Sequence, residues 1–131
     1  MENLLSNAPK ILLLLFLTIT FLQSGIDKVL NWKGNLSWLT AHFAKSLFRG
    51  TAPVLLSIIL VFEMFSGVFC GVGVFELVFD GKSSFGLYGG ILSAISLLML
   101  FTGQRVARDY DGAKTIVVYL IPTIFLIYLM Q

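Results

Sequence analysis

One carboxylate lies deep inside an apolar run of the sequence. Glu63 sits about ten residues into the stretch Pro53–Phe79, near the middle of a span that needs roughly 20 residues to cross a bilayer. A carboxylate at that depth is costly unless it is protonated, paired or hydrated. Glu63 could therefore carry a proton or hydrogen-bond the polar head of a ligand. The structural alternative is a neutral Glu63 that bonds to another helix.

Polar residues also form a stripe near the end of the first apolar stretch. Thr20, Gln23, Ser24 and Asp27 recur at i, i+3, i+4 and i+7, which places them on one helix face. Lipid cannot satisfy these groups, so we expect this face to look into a helix bundle.

Charged residues of both signs are expected to gather at one membrane surface. The first and third apolar stretches end on the same side, which brings Asp27 and Lys28 near residues that follow the third stretch: Arg105, Arg108, Asp109 and Asp111. This cluster could be a set of salt bridges that closes the mouth of the bundle. It could also admit an anionic or quinone-like head group, and the sequence leaves both interpretations open.

The remaining polar candidates are weaker. Tyr119 and Thr123, at i and i+4, could point inward from the last apolar stretch, although tyrosine is common near membrane interfaces and a structural role is favoured. His42 is interpreted as an interfacial side chain and Cys70 as a small packing residue. With one His and one Cys, the chain cannot supply a paired-thiol site, a structural zinc site, an iron–sulfur cluster or two axial haem ligands. We therefore expect no covalent or metal-bound cofactor.

The composition excludes an ordinary water-soluble domain. Hydrophobic residues make up 57% of the 131 residues and charged residues 12%, against about 45–50% and 25% in soluble domains. The mean hydropathy is +0.92. The net charge of +2 is too small to suggest nucleic-acid binding. The length allows one domain, covering residues 1–131.

Apolar runs long enough to cross a membrane occur at four places, which predicts an all-α integral membrane four-helix bundle with the lipid bilayer as its main partner. Pro122 is expected to bend the last helix. We prefer a first span to a cleaved signal peptide because no small-x-small site follows and the apolar pattern continues past Ser24. The predicted spans are Ala8–Leu30, Pro53–Phe79, Phe85–Thr102 and Ala113–Met130.

The linker between the first two spans, residues 31–52, predicts a short amphipathic helix at the membrane interface. Its apolar residues recur at i, i+3, i+7 and i+11 and so share one helix face: Leu36, Leu39, Phe43 and Leu47. Small residues in the second and third spans weakly indicate close helix packing: Gly67, Gly71, Gly86, Gly90 and Ala94.

The distribution of basic residues predicts the orientation. One side of the membrane holds Lys10 and Lys82, and the other holds the remaining Lys and Arg, at positions 28, 33, 45, 49, 105, 108 and 114. The positive-inside rule places the richer side in the cytoplasm and both termini in the periplasm.

Three short strings resemble the DoxX family. The string Gln23–Leu30 (QSGIDKVL) is similar to the end of the first helix of that family, which usually shows Gly-x-x-Lys there. Glu63 with Gly67 and Gly71 (EMFSGVFCG) resembles the Glu-x-x-x-Gly pattern of the second helix, and residues 103–110 (GQRVARDY) resemble a loop of some bacterial members. The resemblance implies a bacterial inner-membrane four-helix protein linked to redox chemistry, because DoxD relatives belong to a thiosulfate:quinone oxidoreductase.

These observations leave three functions open. The first is a redox-associated subunit that binds or serves a quinone, or serves a membrane or peripheral oxidoreductase. The candidate pocket residues for this function come from the segments described above: Gln23, Ser24, Asp27, Lys28, Glu63, Arg105, Arg108, Asp109 and Tyr119. The second is a non-catalytic accessory subunit of a larger membrane complex. The third is a pathway for protons or small solutes, which ranks last because the spans show no inverted repeat. The sequence does not establish that the protein is an enzyme.

Overall fold

A computed structural model describes residues 2–131, which form six helices and the turns between them. The helices are α1 (Glu2–Ser6), α2 (Ala8–Leu30), α3 (Trp32–His42), α4 (Ala52–Phe79), α5 (Ser84–Val106) and α6 (Tyr110–Met130). The four long helices α2, α4, α5 and α6 are each long and apolar enough to cross a membrane. The prediction of an all-α four-helix transmembrane bundle is therefore confirmed.

The predicted spans agree closely with these helices, and the main differences lie at polar ends. The first span has the predicted bounds, and the second begins one residue early, at Ala52. The third runs on to Val106 and the fourth begins at Tyr110, so most of the residues between the predicted third and fourth spans, 103–112, are helical. The chain reverses within Ala107–Asp109, where Arg108 has a φ of 60° and Asp109 Oδ1 caps α6 by accepting from the Gly112 N–H at 3.0 Å.

The linker helix forms but is shorter than its apolar pattern suggests. α3 ends at His42, and the chain then turns, with Gly50 at a φ of 81°. Phe43 is buried against the bundle, whereas Leu47 is 87% exposed. The prediction of a helical face running from Leu36 to Leu47 is therefore wrong at its end. Phe43 packs beside Gly103 of α5, and the helix ends at the residue before it.

Small residues allow α4 and α5 to pack at backbone distance. A Cβ added at Gly73 would lie 2.6 Å from the Gly86 Cα, and one added at Gly89 would lie 2.8 Å from the Cys70 N. Ser66 and Ser96 place their hydroxyls 3.3 Å apart across this interface, and both also donate to a carbonyl of their own helix. Of the small residues singled out in the sequence, Gly86 lies at this interface, whereas Gly67 and Gly71 face Leu22 and Thr18 of α2. The hydroxyls of Ser66 and Ser96 are satisfied within the interface, where water is absent.

The bundle is arranged around α4. Helix α4 packs along both α2 and α5, and α6 packs mainly on α5. The apolar core contains Leu14, Leu17, Phe21, Leu77 and Leu126, all with at most 1% exposure. Helix α3 has few contacts with α2 and α4 and lies beside the end of the bundle where α2 and α5 finish. This arrangement leaves a space between α3, α4 and α5.

Replacing Gly73 by Ala tests the α4–α5 interface. We expect Gly73→Ala to lower the free energy of unfolding by about 1–3 kcal/mol, because the new methyl group meets the backbone of Gly86 and forces the helices apart. Gly71→Ala is the matched control, since its methyl group would meet Thr18 Cγ2 at an ordinary 3.5 Å. Unfolding by dodecyl sulfate in maltoside micelles, followed by circular dichroism, measures both. Equal stability of the two variants would contradict this packing.

Candidate functional site

Glu63 is paired inside the bundle. Its Oε1 lies 2.8 Å from Nζ of Lys28, and the two side chains are 3% and 16% exposed. The angles of this contact are not those of a hydrogen bond, so Oε1 has a charge partner but no directed donor. Nζ does donate a hydrogen bond to Ser24 Oγ at 2.7 Å, one turn earlier in α2. Glu63 therefore contacts another helix through a lysine, whereas the structural alternative was a neutral Glu63 that bonds to another helix.

The pair forms because both side chains lean toward the N-terminus of their own helix. Helix α2 runs toward the α3 end of the bundle, so Lys28 leans back into the membrane. Helix α4 starts at the α3 end, so Glu63 leans toward that end, from a position about 16 Å along the axis at about 1.5 Å per residue. The long lysine side chain spans the remaining depth, and Gly25 allows α2 to approach α4 beside Met64.

The polar stripe on α2 does not face the bundle interior as predicted. Gln23 and Asp27 are exposed to the outside of the bundle. Ser24 turns inward and accepts a hydrogen bond from Lys28. The rotation of α2 that turns Lys28 toward Glu63 also buries Leu17, Phe21 and Gly25. Asp27 is instead held at the end of the helix, where its Oδ2 accepts from Asn35 Nδ2 at 3.3 Å.

A second polar cluster links α3 to the α5–α6 connection. His42 Nε2 donates to Gln104 Oε1 at 2.7 Å, and Asp109 Oδ2 lies 3.9 Å from the same nitrogen. The imidazole ring stacks on Trp38, with centroids 4.5 Å apart. His42 was interpreted only as an interfacial side chain, and Gln104 was not singled out. The closeness of α3 to the end of α5, which the sequence does not show, brings them together.

The predicted cluster of charges at the bundle mouth is only partly assembled. Arg105 is exposed and lies over the ring of Tyr110, 4.7 Å from its centroid. Arg108 is also exposed. Within residues 2–131, the close contacts between basic and acidic side chains are Lys28–Glu63 and His42–Asp109, so neither arginine is bridged to Asp27. These arginines therefore remain available to water and lipid head groups.

Tyr119 lies on another side of the bundle. Its ring stacks on Phe16 of α2, with centroids 5.8 Å apart, and Thr123 is fully buried with its hydroxyl donating to the Tyr119 carbonyl at 2.8 Å. Thr123 thus points inward as the sequence suggested. Tyr119 packs between α2 and α6, away from Glu63.

The space between α3, α4 and α5 is a cavity of about 530 Å³. This volume falls within the range of about 300–1,000 Å³ that is common for small-molecule sites. Lys28 is the one residue among the sequence candidates that lines it. The apolar part of the wall comes from the first half of α4, the second half of α5 and the α3–α4 connection, and includes Leu56, Ile58, Ile59, Ile95, Leu98, Met99 and Phe43.

The cavity is polar at the end near α3 and apolar toward the membrane. Its polar lining residues, apart from Lys28, are Asn35, Trp38, His42, Thr102 and Gln104. On the membrane side, Ile58 of α4 and Leu98 of α5 line the cavity and are also exposed on the outer surface. The cavity therefore suits a molecule with a polar head and an apolar tail that extends into lipid.

No known protein family, characterised protein or solved structure matches this chain. The resemblance to the DoxX family therefore stays a prediction, and the site has to be interpreted from its own residues.

Replacing Lys28 tests the pairing with Glu63. We expect Lys28→Met to lower the free energy of unfolding by about 3 kcal/mol, because an unpaired carboxyl group is left inside the bundle. Lys114→Met, which removes an exposed lysine of α6, is expected to change it by less than about 0.5 kcal/mol.

Adding Glu63→Gln to the Lys28→Met variant should restore most of the loss, since no ionisable group then remains at that depth. The same dodecyl sulfate titration measures the double-mutant cycle. Additive losses in the double variant would show that the two side chains are not coupled.

Proposed function

We propose that the protein binds a lipid quinone in the cavity between α3, α4 and α5 and serves a partner oxidoreductase in the bacterial inner membrane. The observation that carries this proposal is the cavity itself. It has hydrogen-bond donors at the end near α3 and an apolar wall that continues to the lipid-facing surface. A quinone has the same division between a ring with two carbonyl acceptors and an isoprenoid tail.

The side chains around the cavity favour a ligand that accepts hydrogen bonds. The indole of Trp38 and the ammonium group of Lys28 present N–H groups, whereas the amide of Asn35 donates to Asp27 Oδ2 and to the Asn31 carbonyl. Aromatic surface for stacking on a flat ring comes from Trp38 and from Phe43 and Phe48, whose rings meet edge to face with centroids 5.6 Å apart. A flat ring with carbonyl oxygens would use both features.

The lateral opening suits a ligand that arrives through the membrane. Ile58 and Ile95 flank it on α4 and α5 and are 42% and 40% exposed. A quinone could enter between these helices without its tail leaving the hydrocarbon region. The polar end would lie on the cytoplasmic side in the orientation predicted from the basic residues, where a peripheral oxidoreductase would reach it.

The resemblance to the DoxX family supports the same proposal, because that family is linked to quinone-dependent oxidoreductases. The chain itself has one Cys and one His. The redox centre that reduces or oxidises the quinone is therefore proposed to belong to the partner.

Fluorescence of Trp38 tests quinone binding. The two tryptophans are Trp32 and Trp38, and Trp38 lines the cavity, so a Trp32→Phe background leaves one reporter. We expect decylubiquinone to quench this fluorescence saturably in nanodiscs, because the bound ring would lie against the indole. Quenching that rises linearly with quinone, as in collisions within the lipid, would contradict the proposal.

A pair of double variants shows whether quenching depends on the opening. Ile58→Phe/Ile95→Phe adds bulk at the opening and should weaken binding by about tenfold, corresponding to 1.4 kcal/mol. Val54→Phe/Ile91→Phe makes the same kind of change one turn earlier on each helix, at exposed positions that do not line the cavity. This control should bind as the parent does. Equal weakening in both variants would place the quinone elsewhere.

A further inference from the structure

We infer that Lys28 is the anchoring donor of the cavity and that Glu63, by cancelling the charge of Lys28, makes the site select a neutral carbonyl-type head over an anionic one. This inference deepens the proposed function and rests on it for the presence of a ligand. It assigns separate roles to the two partners of the buried pair: Lys28 contacts the ligand, and Glu63 acts on selectivity through Lys28.

The donor inventory of Lys28 supports the first role. An ammonium group has three N–H donors. Within residues 2–131, Nζ has two oxygen partners, Ser24 Oγ at 2.7 Å and Glu63 Oε1 at 2.8 Å. Lys28 also lines the cavity and keeps 16% of its side chain exposed. Because the contact with Glu63 is a charge contact without hydrogen-bond geometry, at least one N–H of Nζ remains for an acceptor in the cavity.

The position of Glu63 supports the second role. Glu63 does not line the cavity, and its side chain is 97% buried behind Lys28, being 3% exposed. The pair has no net charge, whether the shared proton sits on Nζ or on the carboxylate. A neutral carbonyl oxygen can accept the free N–H without adding charge. An anion would have to give up its hydration without a net positive charge to meet it, which is unfavourable inside the membrane.

The other side chains around the cavity do not alter the absence of net charge at the Lys28–Glu63 pair. Asn35, Trp38, Thr102 and Gln104 are uncharged. His42 lines the cavity too, and its Nε2 is directed to Gln104 Oε1 with Asp109 nearby. The basic residues Arg105 and Lys114 are exposed and lie outside the cavity wall. Lys28 is thus the lining residue whose charge decides the preference, and Glu63 is its counter-charge.

Two ligands of the same shape test the inference. The probes are 2-methoxy-3-decyl-1,4-naphthoquinone, which is neutral, and 2-hydroxy-3-decyl-1,4-naphthoquinone, which is an anion at pH 8. Their binding is measured by quenching of Trp38 in the Trp32→Phe background in nanodiscs of zwitterionic lipid. The parent protein should bind the neutral probe about tenfold more tightly than the anion, equivalent to 1.4 kcal/mol.

The variants separate the two roles. Glu63→Gln leaves the donor and removes the counter-charge, so it should bind the anion at least about tenfold more tightly than the parent does and abolish the preference for the neutral probe. Lys28→Met should lose about tenfold in affinity for the neutral probe. Lys28→Met/Glu63→Gln, which leaves no charge to bury, should show the same loss without gaining anion binding. Lys114→Met should behave as the parent.

Each contrary result has a distinct meaning. An unchanged preference in Glu63→Gln, or parental affinity for the neutral probe in the double variant, would overturn the roles given to Glu63 and Lys28 while leaving quinone binding intact. Failure of the parent protein to bind either probe would overturn the proposed function itself. Circular dichroism and the dodecyl sulfate titration identify any variant that is unfolded, and the double variant keeps the donor role testable if Glu63→Gln or Lys28→Met does not fold.

Discussion

The contact between Lys28 and Glu63 is the constraint on which the rest of the bundle depends. Two ionisable groups inside a membrane are tolerated when each is the partner of the other. Their meeting fixes how far α2 lies along α4 and which face of α2 turns inward. That rotation buries Phe21 and Gly25 and leaves Gln23 and Asp27 at the surface. It also places Lys28 at the wall of the cavity.

Helices α4 and α5 pack closely at one end of the bundle and leave open space at the other end, because the side chains between them differ in size. Toward the α1 end, Gly73 and Gly86 bring the backbones of α4 and α5 together. Toward the α3 end, the same two helices carry larger residues, among them Leu56, Ile59 and Met99, and these line the cavity. Helix α3 and Phe43 close it from outside the bundle. A closely packed half and a cavity-containing half are thus built from the same pair of helices.

The spans were predictable from the sequence because they depend on length and hydropathy, which are local properties. The helix ends at polar residues were less predictable from the sequence, because α5 continues through the polar residues Gln104 and Arg105, and Asp109 caps α6. The depth of Glu63 within the second span was predictable from the sequence, whereas the identity of its partner was not. Lys28 was predicted to lie near the membrane surface, and its contact with Glu63 depends on how α2 and α4 pack, which the sequence does not show. The link between His42 and Gln104 depends on the position of α3, which no local pattern encodes.

Photolabelling would test the proposal that a quinone occupies the cavity between α3, α4 and α5. A neutral azidoquinone with a decyl tail would be irradiated with the protein in native membranes, and the labelled residues would be identified by peptide mass spectrometry. We expect labels on residues 35–43 and 95–104, with protection by excess decylubiquinone. Labels confined to lipid-facing residues such as Val118 and Tyr128 of α6, or labels insensitive to competition, would contradict the claim.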